Sequence, residues 1–95
     1  SLQAVPPGID PQAVAAYLRA LPGVAALHDL HIWAMSTSET ALTAHLVVPG
    51  NRPGDDFYAR LSNELRERFR IQHATVQVES GDAAHPCPLA PDDVV

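Results

Sequence analysis

Residues 41–48, ALTAHLVV, put Leu42, Ala44, Leu46 and Val48 at every second position. A period of two marks a strand with one buried face, because successive side chains leave a strand on opposite sides. The other face carries Thr43, His45 and Val47. Any fold this chain adopts must cover the first face and can leave the second open. Two further segments share the period. Over 24–35, Leu30, Ile32 and Ala34 alternate with Asp29, His31, Trp33 and Met35. Over 73–79, Ala74, Val76 and Val78 alternate with Thr75, Gln77 and Glu79, again with the apolar set toward a core.

Helical spacing fills the rest. Asp10-Pro11 predicts a helix start, with Asp at the N-cap and Pro at the first helical position. Val14, Leu18 and Leu21 recur along it beside Ala15, and Pro22-Gly23 ends it, with Gly as a left-handed cap. After the turn-rich stretch 49–54, Asp55 or Asp56 is expected to cap a second helix. Its stripe is Phe57, Leu61, Leu65 and Phe69, with Glu64 and Arg68 paired on the wet side. The order helix, strand, strand, helix, strand predicts a two-layer α+β sandwich, a ferredoxin-like αββαβ with both helices on one face of a three-stranded sheet. Residues 1–9, which include Val5-Pro6-Pro7-Gly8, read as a linker, because Pro lacks the N–H and restricts its predecessor. Residues 10–80 form the folded domain and 81–95 an extended tail.

Ninety-five residues are enough for one domain with a thin core that a metal or a partner chain would strengthen. Six basic residues stand against eleven acidic ones, a formal charge of −5 with no basic cluster. That balance argues against nucleic acid, which needs a basic stripe to displace counterions, and against an anionic membrane surface. Cys87 is the single cysteine, so no internal disulfide forms and a reducing compartment fits. No apolar run approaches the ~20 residues of a spanning helix, and the N-terminus lacks a signal-peptide pattern.

Histidine is the anomaly: five, against six Lys plus Arg. Zinc takes His, Cys and carboxylate ligands converging in space. His45 and Glu79 project from the face opposite the helices, and His73 begins the strand that carries Glu79. If the second and third strands are neighbours, these three converge near one edge, and His28 joins from the side. His28 and His31, three positions apart, are expected on opposite faces. His85 and Cys87, spaced His-x-Cys in the tail, cannot fill a zinc site alone and need donors from elsewhere in the chain or from a partner chain. Each residue also has a purely structural reading. His45 can be a hydrogen-bonded strand histidine, His28 a turn residue, Glu79 a solvated strand end, and Cys87 an incidental thiol. His73 can cap the second helix's C-terminus, where a cation is favoured. Spacing alone leaves both readings open. A zinc hydrolase with His28, His45 and His73 as ligands and Glu79 as base lacks both the H-E-x-x-H helix and a pocket that excludes water.

The segments VAALHDLHIWAM (24–35), ALTAHLVV (41–48) and HATVQVE (73–79) together resemble the cytoplasmic C-terminal domain of the cation diffusion facilitators, the family of zinc and related divalent-metal efflux transporters. VPPGID (5–10) is similar to the family's link after its last membrane helix, and the resemblance covers about residues 5–87. It implies the fold derived above and a V-shaped homodimer on the cytoplasmic face of a membrane. It also implies attachment to the transmembrane domain of the same transporter, and a role as a metal sensor rather than an enzyme. Cytosolic metal would draw the two domains together and favour transport. The family's ligand positions fall on His28, His45, His73 and Glu79. His85 and Cys87 lie near a tail segment where some members place further ligands, often with a second cysteine that this chain lacks. His31 falls in the motif with a structural role. Zn²⁺ is the expected ion, although imidazole and carboxylate also accept Co²⁺, Cd²⁺ and Ni²⁺. The transport helices are absent, so the chain reads as a fragment. The alternative is a metal-independent dimerisation domain or a small-ligand-binding ferredoxin-like module, which would show no metal-dependent stabilisation.

Overall fold

Asp10 opens the first helix from an extended backbone, its carboxylate accepting from the Gln12 N–H at 2.9 Å, and Pro11 follows at a position whose N–H needs no partner. In the computed structural model, which describes residues 5–81, this helix is α1, Pro11–Arg19. It ends sooner than the sequence suggests. The Ala20 N–H reaches the Ala16 and Tyr17 carbonyls and the Leu21 N–H reaches that of Leu18, so a tightened last turn satisfies the end. Gly23, at φ 84°, serves the following turn rather than the cap. The second helix, α2, spans Asp55–Phe69, and its cap is Gly54 rather than an aspartate. Asp55 and Asp56 lie inside the first turn, where their charge complements the helix dipole. Arg70 closes α2 in the left-handed region at φ 58°.

The three strands are β1, Ala26–Ala34, β2, Thr40–Val47, and β3, His73–Glu79. The sheet order is β1-β2-β3, with β1 antiparallel and β3 parallel to the central β2. A parallel pair cannot be closed by a hairpin, and α2 supplies the crossover. One face of the sheet and the two helices enclose the core. Leu27, Leu30, Ile32, Leu42, Ala44, Leu46 and Val78 come from the sheet, Val14 and Leu18 from α1, and Leu61 and Leu65 from α2. Each fully buried leucine contributes about 1.5–3 kcal/mol. The α+β arrangement expected from the sequence is the one that forms.

The helices also meet through polar atoms. The Tyr17 hydroxyl donates to Glu64 Oε1 at 2.6 Å, and the Arg68 guanidinium lies over the Tyr17 and Phe69 rings at 4.9 and 5.3 Å. Glu64, expected to pair with Arg68, thus serves Tyr17 and stands 3.9 Å from Arg60. Burial, then the hydrogen bond to Glu64, push the Tyr17 phenol well above its ordinary value.

The strict alternation expected along 24–35 breaks at Asp29. His28 pairs with His45 and His31 with Thr43, so Asp29 and Leu30 together oppose Ala44. This is a β-bulge, with Asp29 in the left-handed region at φ 56°. Leu27 and Leu30, an odd three positions apart, are consequently both fully buried. His28 and His31 consequently share the open face, correcting the expectation that they point apart.

Leu46 lies near the C-terminal end of the middle strand with no exposed surface. Leu46→Ala is expected to cost about 2–5 kcal/mol, lowering the thermal midpoint by about 8 °C or more. Calorimetry of the metal-free domain checks it.

Candidate metal centre

Because β2 is central, His45 has a neighbour on each side. His28 stands directly opposite on β1, Gln77 directly opposite on β3, and Glu79 opposite Val47, on the same open face as His45. The Glu79 carboxylate spans both imidazoles. Its Oε2 lies 3.3 Å from His28 Nε2 and its Oε1 3.1 Å from His45 Nδ1. Gln77 Nε2 donates to the same Oε1 at 3.3 Å, which steadies it. The two rings meet edge to face with centroids 5.6 Å apart.

These three side chains offer one ligand atom each, all within 4.8 Å of one another. A tetrahedral zinc ion with bonds of ~2.0–2.2 Å holds its ligand atoms about 3.3–3.6 Å apart. The separations at Glu79, 3.1 Å from Oε1 to His45 and 3.3 Å from Oε2 to His28, are each close to that spacing, and the widest pair of the three closes to it by about an ångström. The chemistry agrees, since two neutral imidazoles and a carboxylate form an ordinary zinc donor set. His28 is only 4% exposed, and its Nδ1 is buried without a hydrogen-bond partner among the described residues. A buried unsatisfied polar atom costs about 1–3 kcal/mol, and an ion held at Nε2, the nitrogen that faces Glu79, would not relieve it.

Two further residues adjoin the cluster. The His31 ring meets Asp29 Oδ1 through Nε2 at 2.7 Å, and Asp29 Oδ2 lies 3.9 Å from His45 Nε2. Sequence reasoning did not select Asp29. The signal was available in Leu27 and Leu30, whose odd spacing cannot put both in a core without an extra residue between them.

His73 is not brought to this cluster. It pairs with Ala41 at the start of β3, while Glu79 pairs with Val47 at the other end. Six residues of strand separate the two by about 20 Å. Its Nε2 instead contacts Glu39 Oε2 at 2.6 Å in an exposed pair. His85 and Cys87 lie outside the described residues.

The family model described as "Cation efflux protein, cytoplasmic domain" matches residues 6–81, and the chain belongs to this family. It is 37% identical over 79 residues to the metal cation efflux system protein CzcD of Cupriavidus metallidurans, covering 82% of this chain and 25% of that protein. It is 32% identical over 78 residues to the human proton-coupled zinc antiporter SLC30A2, covering 82% of this chain and 21% of the relative. The chain therefore spans a quarter or less of the length of these relatives. Among solved structures, the metal-bound C-terminal domain of the CzcD transporter superposes with a TM-score of 0.64 at 34% identity, covering 75% of this chain and 99% of that one. This is a family of transporter domains rather than of enzymes. No helix among the described residues is long and apolar enough to cross a membrane.

The unsatisfied Nδ1 makes a test of the site's cost to the fold. His28→Leu, which fills the position without a polar ring, is expected to raise the thermal midpoint of the metal-free domain, measured in the presence of a chelator. A fall of several degrees would instead mark His28 as a stabilising structural residue.

Proposed function

We propose that this chain is the cytoplasmic regulatory and dimerisation domain of a divalent-cation efflux transporter. It binds cytosolic zinc through His28, His45 and Glu79, and binding tightens a homodimer and favours transport by the attached membrane domain. The observation that carries this reading is the single Glu79 carboxylate set between two imidazoles at 3.3 and 3.1 Å. It is supported by the relatives' names as efflux and zinc transporters and by the metal-bound state of the CzcD domain. One relative, human SLC30A10, is named a calcium/manganese antiporter, at 32% identity over 88 residues. A site with two imidazoles suits zinc better than calcium or manganese, which prefer oxygen.

The chain's own residues would act as follows. A bound zinc ion supplies two positive charges and a tetrahedral cross-link. His28, His45 and Glu79 come one from each strand, so ligation fastens all three strands at one end of the open face. The ion's two positive charges lower the net negative charge of a protomer that carries −5. Two such protomers repel less when loaded, which favours the closed dimer. The shift is bounded by the difference in metal affinity between open and closed forms, and each tenfold difference supplies about 1.4 kcal/mol. Water, or His85 or Cys87 of the tail, fills the fourth position. His73 contributes nothing to this ion.

The test is the thermal midpoint of the metal-stripped domain with and without zinc. Zinc is expected to raise it by several degrees in the native chain and in His73→Ala, and to leave His45→Ala unmoved. Small-angle scattering is expected to show compaction on adding zinc in the native dimer and in His73→Ala, and none in His45→Ala. Affinity falls as the pH is lowered, because protons compete with the ion for imidazole. No shift and no compaction would leave a metal-indifferent dimerisation domain as the better account.

A further inference from the structure

We propose that Asp29 is a positioning residue for the metal centre. Its carboxylate holds the His45 ring proton on Nε2, so that the Nδ1 lone pair faces Glu79 and His28. This inference rests on the metal-binding reading above.

His45 stands between two carboxylates. Its Nδ1 faces Glu79 Oε1 at 3.1 Å and its Nε2 faces Asp29 Oδ2 at 3.9 Å. A neutral imidazole carries one ring proton, on one nitrogen or the other. The nitrogen that ligates must be bare, so the proton must occupy the other. Ligating histidines almost always give that second N–H to a carboxylate, a backbone carbonyl or water. With Nδ1 turned toward Glu79, the carboxylate on the far side of the ring is that of Asp29. The 3.9 Å separation is longer than a hydrogen bond but places the charge on the side of the ring where the N–H must point. Without Asp29, Glu79 is the nearer carboxylate and draws the proton to Nδ1, the tautomer that cannot ligate there.

Asp29 is itself held. The His31 Nε2–H donates to Oδ1 at 2.7 Å, leaving Oδ2 for His45. The backbone sits at φ 56°, on the extra residue of the bulge. Glycine meets that conformation with least strain, so conformational ease alone does not call for a carboxylate here. Two lone pairs directed at two histidines do. The charges also close. Glu79 leaves a divalent ion with one positive charge, and Asp29 balances it from the next position without entering the coordination sphere. His31, which fell in the motif with no more than a structural role, becomes the end of a histidine–aspartate–histidine chain.

The experiment compares the native chain with Asp29→Asn and Asp29→Gly, both compatible with a left-handed backbone. Zinc affinity is measured by competition with a chromophoric chelator. The His45 ring is followed by ¹⁵N-edited NMR in the zinc-loaded protein, and the metal-free thermal midpoint is recorded for each chain. The native chain is expected to ligate through Nδ1 and to show a slowly exchanging Nε2–H. Both variants are expected to bind zinc roughly 10–100-fold more weakly, the range for losing an outer-shell partner. The metal-free midpoint of Asp29→Gly should stay level or rise, and the Nε2–H signal should be lost. Equal zinc affinity in all three chains, or ligation of His45 through Nε2, overturns the role of Asp29 while leaving the metal site intact. A native chain that binds no zinc overturns the metal-binding reading itself.

Discussion

Leu27 and Leu30 both belong in the core, and a regular strand cannot bury both. Residues an odd number apart on a strand leave it on opposite faces. The chain resolves the conflict with one extra residue at Asp29, which flips the phase of β1 between its two halves. Nearly everything on the open face follows. His28 comes to stand opposite His45 rather than among the leucines. The Asp29 carboxylate emerges beside both His31 and His45. Bulges also sharpen local twist and re-aim side chains, which is why they recur beside functional sites. Here the hydrophobic demand of two leucines and the gathering of histidines and carboxylates on the open face are met by the same backbone irregularity.

The middle strand sets the second constraint. β2 pairs antiparallel on one side and parallel on the other, so His45 has neighbours that arrive from very different parts of the sequence. The hairpin brings His28 by a short route. The crossover through α2 brings Glu79 by a long one. The core holds the three strands in register from below, which brings the three side chains within 4.8 Å of one another above. The buried His28 Nδ1, without a hydrogen-bond partner among the described residues, is held at some expense to the fold.

Much of this was legible in the sequence because the period-two and period-3.6 patterns are clean. The third strand, His73–Glu79, and the start of α1 at Pro11 fall where alternation and the Asp-Pro signal put them. The boundaries that moved did so for local reasons. A tightened last turn closed α1 without Gly23, and Gly54 capped α2 in place of an aspartate. In the site, His45 and Glu79 are legible as types on one face, His28 is expected to join from the side, and the resemblance of their motifs points to all three. Asp29 is not legible, because a bulge is invisible to a rule that assumes unbroken alternation. His73 misleads for the opposite reason: it shares a face with Glu79, but a shared face says nothing about distance along the strand.

The parallel pairing of β2 with β3 has a consequence for the chain's history. Of the three donors, the last comes at Glu79, near the end of the described residues, and it reaches the others only after α2 has crossed the sheet. Contacts between segments so far apart in sequence form late, since the intervening chain must first give up its freedom. A chain still emerging from the ribosome holds His28 and His45 but not the carboxylate that joins them. The three side chains therefore come together only when the last strand pairs, and a chain that lacks β3 holds two imidazoles without the carboxylate between them.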